Sequence, residues 1–266
     1  MLQLVDSHCH FDDASFDLDR NTAYQRARQA GVAVQILPGV CAQLWPKLKG
    51  VAAAYPGLYP AYGLHPMYLG EHRPGHLAML ERWVEQEHPV AVGECGLDYF
   101  IPELDPAQQA NYFTAQLQIA QARRLPVIIH ARRAVEPVIQ HLRRYPEVRG
   151  VIHSFSGSEQ QANQLLDMRF LLSVGGPLTY PRAQRLRRLI QLLPLAGLLL
   201  ETDAPDQAGL AHRGDRNEPA FLPEILATVA QLRNQDPAEI AKVTNQNALN
   251  LFGIKPCPIP LHAPKF

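Results

Sequence analysis

The sequence predicts an α/β fold, a (β/α)8 TIM barrel in a single domain, and three observations lead there. Short β-prone runs recur roughly every thirty residues. Amphipathic stretches with helix-start signals separate them. About eight such units fill about 250 residues, which is the count and size of that barrel. An open doubly wound sheet shares the alternation, but no Gly-rich nucleotide fingerprint follows the first run.

The predicted strands, in order, are Leu2–Val5, Val32–Leu37, Leu58–Tyr62, Val90–Val92, Pro126–Ile129, Gly150–Ile152, Phe170–Val174 and Gly197–Leu200. Asp105-Pro106-Ala107-Gln108 and Asp236-Pro237-Ala238-Glu239 each offer an Asp cap, a proline at the first helical position and a capping-box partner. Ser158 with Gln161 repeats the box without proline, and Pro137 and Pro223 fall near helix starts. No composition shift divides residues 1–253. From Cys257-Pro258-Ile259-Pro260 onward the prolines forbid a regular element, so residues 254–266 read as a Pro-rich tail.

The chain has 266 residues, 47% hydrophobic and 19% charged, and a formal net charge of zero at pH 7 with His neutral. That is a globular composition with no global pull toward nucleic acid or anionic membrane, which argues against a DNA-coating protein but not against a local grip on one phosphate. Cys9, Cys41, Cys95 and Cys257 show no paired spacing, as expected of a reduced intracellular chain. The N-terminus lacks the basic and apolar regions of a signal peptide. The most apolar stretch, Leu192 to Leu200, is too short to span a bilayer and contains Pro194 and Gly197. The expectation is a soluble, cytoplasmic protein with no membrane association and no obligate protein partner.

Chemistry-bearing residues gather at the predicted strand ends. His8 and His10 follow the first strand, His65 the third, Glu94 the fourth, His130 the fifth, His153 the sixth and Asp203 the eighth. In a strand, His8 and His10 point to one side and Cys9 to the other, and the same alternation turns Cys95 away from Glu94. In a barrel, active sites are assembled from the C-terminal ends of several strands. Four imidazoles and two carboxylates exceed what one open ion needs, so two divalent ions are expected. His8, His10 and Asp203 would hold one, His130 and His153 the other, and Glu94 would bridge them. Two such ions bring about +4, and two carboxylates with a bridging hydroxide about −3, leaving +1 to match a phosphodiester. A ligand set without thiolate leaves Zn, Mn, Co or Mg open.

The segments Asp6-Ser7-His8-Cys9-His10, Tyr62-Gly63-Leu64-His65-Pro66, Gly93-Glu94-Cys95-Gly96-Leu97-Asp98-Tyr99, His130-Ala131-Arg132, His153-Ser154-Phe155-Ser156-Gly157, Glu201-Thr202-Asp203-Ala204-Pro205 and Arg216-Asn217-Glu218-Pro219 resemble the TatD-like metal-dependent deoxyribonuclease family, within the amidohydrolase-type barrels. The resemblance runs in order from Val5 to Phe252. It implies a TIM barrel with metals on the six ligands above, and hydrolysis of phosphodiesters, often at the 3′ end of DNA. The partner would be a nucleic-acid end or a small phosphodiester. It places His65 near the substrate phosphate and Asn217 and Glu218 on a loop beside the site. Many related barrels bridge their metals with a carbamylated lysine. Lys47, Lys49, Lys242, Lys255 and Lys265 all lie away from strand ends, so the bridge falls to Glu94. Asp203, carrying a spare oxygen, is the expected base.

The chain leaves the family's commonest pattern after Pro205, where Asp206-Gln207-Ala208-Gly209-Leu210 replaces an aromatic residue and a proline-rich loop. An acid at 206 repels a phosphate backbone, and Arg132, Arg213 and Arg216 are candidates to compensate. The cluster Arg182, Arg185, Arg187 and Arg188 reads as a solvated helix face. The alternative activity is that of a metal-dependent amidohydrolase or deacylase, since the same hydroxide attacks a carbonyl as readily as a phosphorus.

Overall fold

Strand and helix alternate along the chain of the computed structural model, which describes residues 3–255. The order is β1 (Leu4–Asp6), α1 (Arg20–Gln29), β2 (Val32–Pro38), α2 (Trp45–Ala54), β3 (Leu58–Ala61), α3 (Pro74–Glu87), β4 (Val92–Asp98) and α4 (Pro106–Arg123). It continues with β5 (Val127–Arg132), α5 (Val135–Leu142), β6 (Gly150–Ile152), α6 (Glu159–Asp167), β7 (Phe170–Val174), α7 (Gln184–Leu192), β8 (Leu198–Leu200), α8 (Leu222–Arg233) and α9 (Pro237–Phe252). Hydrogen-bonded strand order is β1-β2-β3 and β4-β5-β6-β7-β8. Every residue of β2 and β4 is buried, as expected of strands covered on both faces.

The described residues form two compact units. The first comprises residues up to Leu37, Gly50–Tyr59 and Ser173 onward. In it β1 pairs in parallel with β2, Leu4 opposite Val32 and Asp6 opposite Gln35. The other edge of β1 takes β8, Ser7 N–H donating to Leu200 O at 3.0 Å. Asn245 of α9 receives the Val5 N–H at 3.0 Å, fixing the helix to the first strand.

The second unit comprises Pro38–Lys49 and Pro60–Leu172. Here β4 pairs with β5, Gly96 opposite His130 and Asp98 opposite Arg132, and β5 pairs with β6. Gly93 N–H donates to Tyr62 O at 2.9 Å, joining β4 to the end of β3. Trp45, Tyr62 and Trp83 pack ring against ring at 5.7–6.1 Å, and the Trp45 indole donates to Gly63 O at 3.1 Å. Two buried glutamines of α4, two turns apart, clamp strand ends. Gln116 bonds both N–H and C=O of Leu64 (2.7 and 3.0 Å), and Gln109 does the same for Asp98 (2.7 and 2.8 Å).

Two expectations need correcting. The fourth strand does not stop at Val92 but runs on to Asp98, because Gly93 and Gly96 permit close strand approach rather than ending the strand. A Cβ on Gly96, whose φ is +135°, would lie 2.0 Å from His130 O. Asp105 and Asp236 cap their helices by accepting from Ala107 and Ala238 N–H at 2.9 Å, two residues on. The reciprocal box forms at Ser158–Gln161 alone of the three expected. Of the expected tail, Ile254 is buried and donates its N–H to Leu249 O, and residues 256–266, with Cys257, lie outside the described residues.

Candidate metal centre

In the second unit the backbone delivers one carboxylate to three imidazoles. Glu94 lies inside β4, 1% exposed, and its Oε1 sits 3.0 Å from His65 Nε2, 3.3 Å from His130 Nδ1 and 2.9 Å from His153 Nε2. His130 Nδ1 and His153 Nε2 are 3.3 Å apart. Behind His130, its Nε2 meets Asp98 Oδ2 at 2.9 Å. Burial works to raise the Asp98 pKa, but the His130 bond and the Phe100 N–H prevail and hold it below the usual carboxylate range. For His130 burial works downward, and the bonds to Asp98 and Glu94 outweigh it, so its pKa is raised. Asp98 accepts the Nε2–H of His130 and so orients the ring with Nδ1 facing Glu94. Three imidazole nitrogens converging on one buried carboxylate oxygen are ligand types that a divalent cation takes. The donor set therefore fits a divalent metal.

In the first unit His8 and His10 lie just beyond β1, and their Nε2 atoms are 3.2 Å apart. Asp203 Oδ1 is 3.4 Å from one and 3.7 Å from the other. Two ligand atoms on a tetrahedral ion, each at about 2.1 Å, stand about 3.4 Å apart, so this triad fits a metal without rearrangement. Its placement depends on Asp6, wholly buried at the end of β1. Asp6 accepts from the Thr202 N–H at 3.0 Å and hydroxyl at 2.6 Å, stapling the segment before His8 to the one before Asp203. Burial pushes the Asp6 carboxyl up to about 8 against the opposing effect of those bonds. Asp203 adopts a left-handed backbone, φ +59°, with its N–H on His8 O at 2.9 Å. A non-glycine residue there carries strain of a kind that clusters at functional sites. Its Oδ2 accepts from Gln207 Nε2.

The cysteines stand aside. Cys9 Sγ faces Ala204 O at 3.7 Å, and Cys95 Sγ faces Ile128 O at 3.6 Å. Arg132 is exposed, with its guanidinium 3.6 Å from the Phe100 ring centroid, and Arg213 is exposed. Arg216 pairs with Asp19 at 2.7 Å and Glu218 at 2.8 Å and lies over Phe16, while Glu218 also pairs with Arg26 at 2.7 Å. Asn217, 1% exposed, donates to Thr202 O and Asp206 O, both at 2.7 Å. Asn217 thus braces the loop that carries Asp203, while Arg216 and Glu218 tie their own segment to Asp19 and Arg26. Asp206 has a raised pKa from partial burial and then the Asp203 charge. Arg185, Arg187 and Arg188 lie on α7 and Arg182 just before it, and the cluster is not wholly solvated, since Arg187 donates to Leu178 O at 3.0 Å. Sequence reasoning passed over Asp98, although period-2 alternation from Glu94 puts residues 94, 96 and 98 on one face of β4. No helix among the described residues is long and apolar enough to cross a membrane.

The TatD related DNase family profile matches residues 5–253. The chain is 40% identical over 255 residues to "Uncharacterized metal-dependent hydrolase YjjV" of Escherichia coli (strain K12), covering 95% of this chain and 98% of that one. It is 36% identical over 259 residues to "3'-5' ssDNA/RNA exonuclease TatD" of Erwinia tasmaniensis, covering 94% and 100%. The crystal structure of Escherichia coli YjjV, a TatD homolog, is similar with a TM-score of 0.91 at 39% identity, over 95% of this chain and 98% of that one. The Escherichia coli phosphotriesterase homology protein, at 12% identity and a TM-score of 0.66 over 94% and 98%, shares the fold alone. The architecture is the TIM barrel of TatD and amidohydrolase structures. The chain belongs to the TatD-related DNase family and is a metal-dependent hydrolase.

Proposed function

We propose that this chain is a two-metal phosphodiesterase that trims nucleic-acid ends from the 3′ side. His8, His10 and Asp203 would hold one divalent ion, and Glu94, His130 and His153 the other. The observation that carries the reading is the Glu94 oxygen meeting three imidazole nitrogens, with His130 oriented from behind by Asp98. The name of the Erwinia tasmaniensis relative supports the substrate class.

When bound, the ions supply positive charge for the phosphoryl oxygens and bring the acidity of water toward about pH 7; Zn, Mn, Mg and Co all suit the donors. The chain's own residues do the rest. Asp203 Oδ2 keeps a second lone pair beside the Gln207 amide, and there it takes the proton of the attacking water. Asp98 holds His130 in the tautomer that leaves Nδ1 bare. His65, against Glu94, stands on the side of the substrate phosphate.

The test is turnover of a short single-stranded oligonucleotide, a mononucleotide diester and an acyl-amide panel under Mg²⁺, Mn²⁺ and Zn²⁺. The expected result is stepwise shortening from the 3′ end, stopped by a chelator. Turnover of the amides with the diesters left intact overturns the reading in favour of a deacylase.

A further inference from the structure

Within the first unit a groove of about 800 Å³ is lined by Pro177, Tyr180, Arg182, Asp206, Gln207 and Asp215, among others. It is a built feature rather than a gap between loops. The segment 207–210 is stitched to the segment 176–180 by Tyr180 hydroxyl to Ala208 O at 3.1 Å and by Leu210 N–H to Thr179 Oγ1 at 2.8 Å. The backbones approach so closely that a Cβ on Gly176 would lie 1.9 Å from Gln207 O. One wall reports directly on the reacting centre, because Gln207 lines the groove and also donates to Asp203 Oδ2. Whatever occupies the groove therefore lies beside the carboxylate that faces His8 and His10.

We infer that this groove is the subsite for a single terminal nucleoside of the substrate. The inference rests on the phosphodiesterase reading above. The lining chemistry selects that occupant. The Tyr180 ring, pinned by its hydroxyl, offers a stacking face, and base–aromatic stacking tolerates any base. The Arg182 guanidinium lies over that ring, 5.5 Å from its centroid, and adds a cation to the stacking platform that can pair with one phosphate. Asp206 and Asp215 accept hydrogen bonds from sugar hydroxyls or base amino groups. Two carboxylates against one guanidinium disfavour a second and third phosphate, so the groove takes one nucleoside and not a polynucleotide track.

The experiment uses the full chain in two states. In chelator-treated protein, thymidine 5′-monophosphate binding is measured by calorimetry, with inorganic phosphate as a second probe. In metal-replete protein, kcat/KM is compared for a dinucleotide, a decanucleotide and a diester without a base. The nucleotide is expected to bind and phosphate alone not. Tyr180→Ala should weaken nucleotide binding about tenfold and lower the dinucleotide-to-simple-diester ratio by about as much, while Tyr180→Phe keeps the ring and the binding. The decanucleotide should gain nothing over the dinucleotide until Asp215→Arg removes the repulsion. Equal nucleotide binding by wild type and Tyr180→Ala, binding of phosphate alone, or kcat/KM rising with length in the wild type overturns the subsite. Nucleotide binding lost in Tyr180→Ala but no hydrolysis of any diester upholds the subsite and overturns the phosphodiesterase reading.

Discussion

Arg216 and Glu94 each sit at the hub of a charged cluster, and the two clusters are built from opposite inventories. Around Arg216 every charge meets its opposite: two guanidinia, Arg26 and Arg216, face two carboxylates, Asp19 and Glu218, at 2.7–3.1 Å. Five-donor forks meet acceptor oxygens, and no cation is called for. Around Glu94 three imidazole nitrogens, each a metal-ligand type, crowd on one carboxylate oxygen at 2.9–3.3 Å. That inventory is one that a divalent metal takes. The difference teaches how to separate a structural ion network from a catalytic one: count donors against acceptors, not charges alone.

The largest effect is expected at the backbone that builds the Glu94 cluster. Gly96→Ala places a methyl into the His130 carbonyl at a left-handed φ, so β4 and β5 must separate. The expected loss is more than about 3 kcal/mol, read as a lowered urea midpoint or a failure to accumulate soluble protein. Unchanged stability would show that the close strand approach does not define the cluster. Next comes Asp203→Asn, which should leave turnover depressed by about 10²-fold or more even at full metal occupancy, because a base is removed along with a ligand charge. Near-wild-type turnover by a fully metallated variant would leave Asp203 a ligand only. Asp98→Asn should weaken metal binding about 10- to 100-fold, measured by competition with a chromophoric chelator, because the tautomer of His130 is no longer fixed.

The Arg216 side of the comparison predicts a smaller effect that follows pH instead of metal. Asp19 has a pKa lowered to about 2, chiefly by the Arg216 hydrogen bond against slight desolvation, and Glu218 is lowered too once its arginine bonds overcome burial. A carboxyl depressed in the folded state binds fewer protons there than when unfolded. Its stabilisation is therefore complete above the ordinary carboxylate pKa and fades as pH falls through the folded value. Asp19 is more than a third exposed, so solvent screening keeps the contribution small. Asp19→Asn should flatten the fall in melting temperature between about pH 4 and pH 2 and leave the profile above about pH 5 unchanged. An identical acid limb in both proteins would show that the network does not couple to folding.

Much of this was legible in the chain. The alternating apolar runs located the strands, and strand alternation put His8 and His10 on one side and turned Cys9 away, which is how the structure places them. What stayed hidden depends on partners far apart in sequence or on residues with dull local meanings. The predicted fourth strand stops at Val92, ahead of Gly93 and Gly96, whereas β4 continues to Asp98. Gln109 and Gln116 carry no local signal of their role, and only the fold shows them clamping Asp98 and Leu64. Arg216 read as a cation for phosphate because its partner Asp19 lies 197 positions away.

The central claim, that the Glu94 cluster is a metal site, is tested most directly by metal analysis of wild type, Glu94→Ala and Arg216→Met after equilibration with Mn²⁺ or Zn²⁺ and removal of free ion. The account predicts about two ions per chain in the wild type and in Arg216→Met, and the loss of at least one in folded Glu94→Ala. A folded Glu94→Ala that retains the full wild-type complement would contradict it.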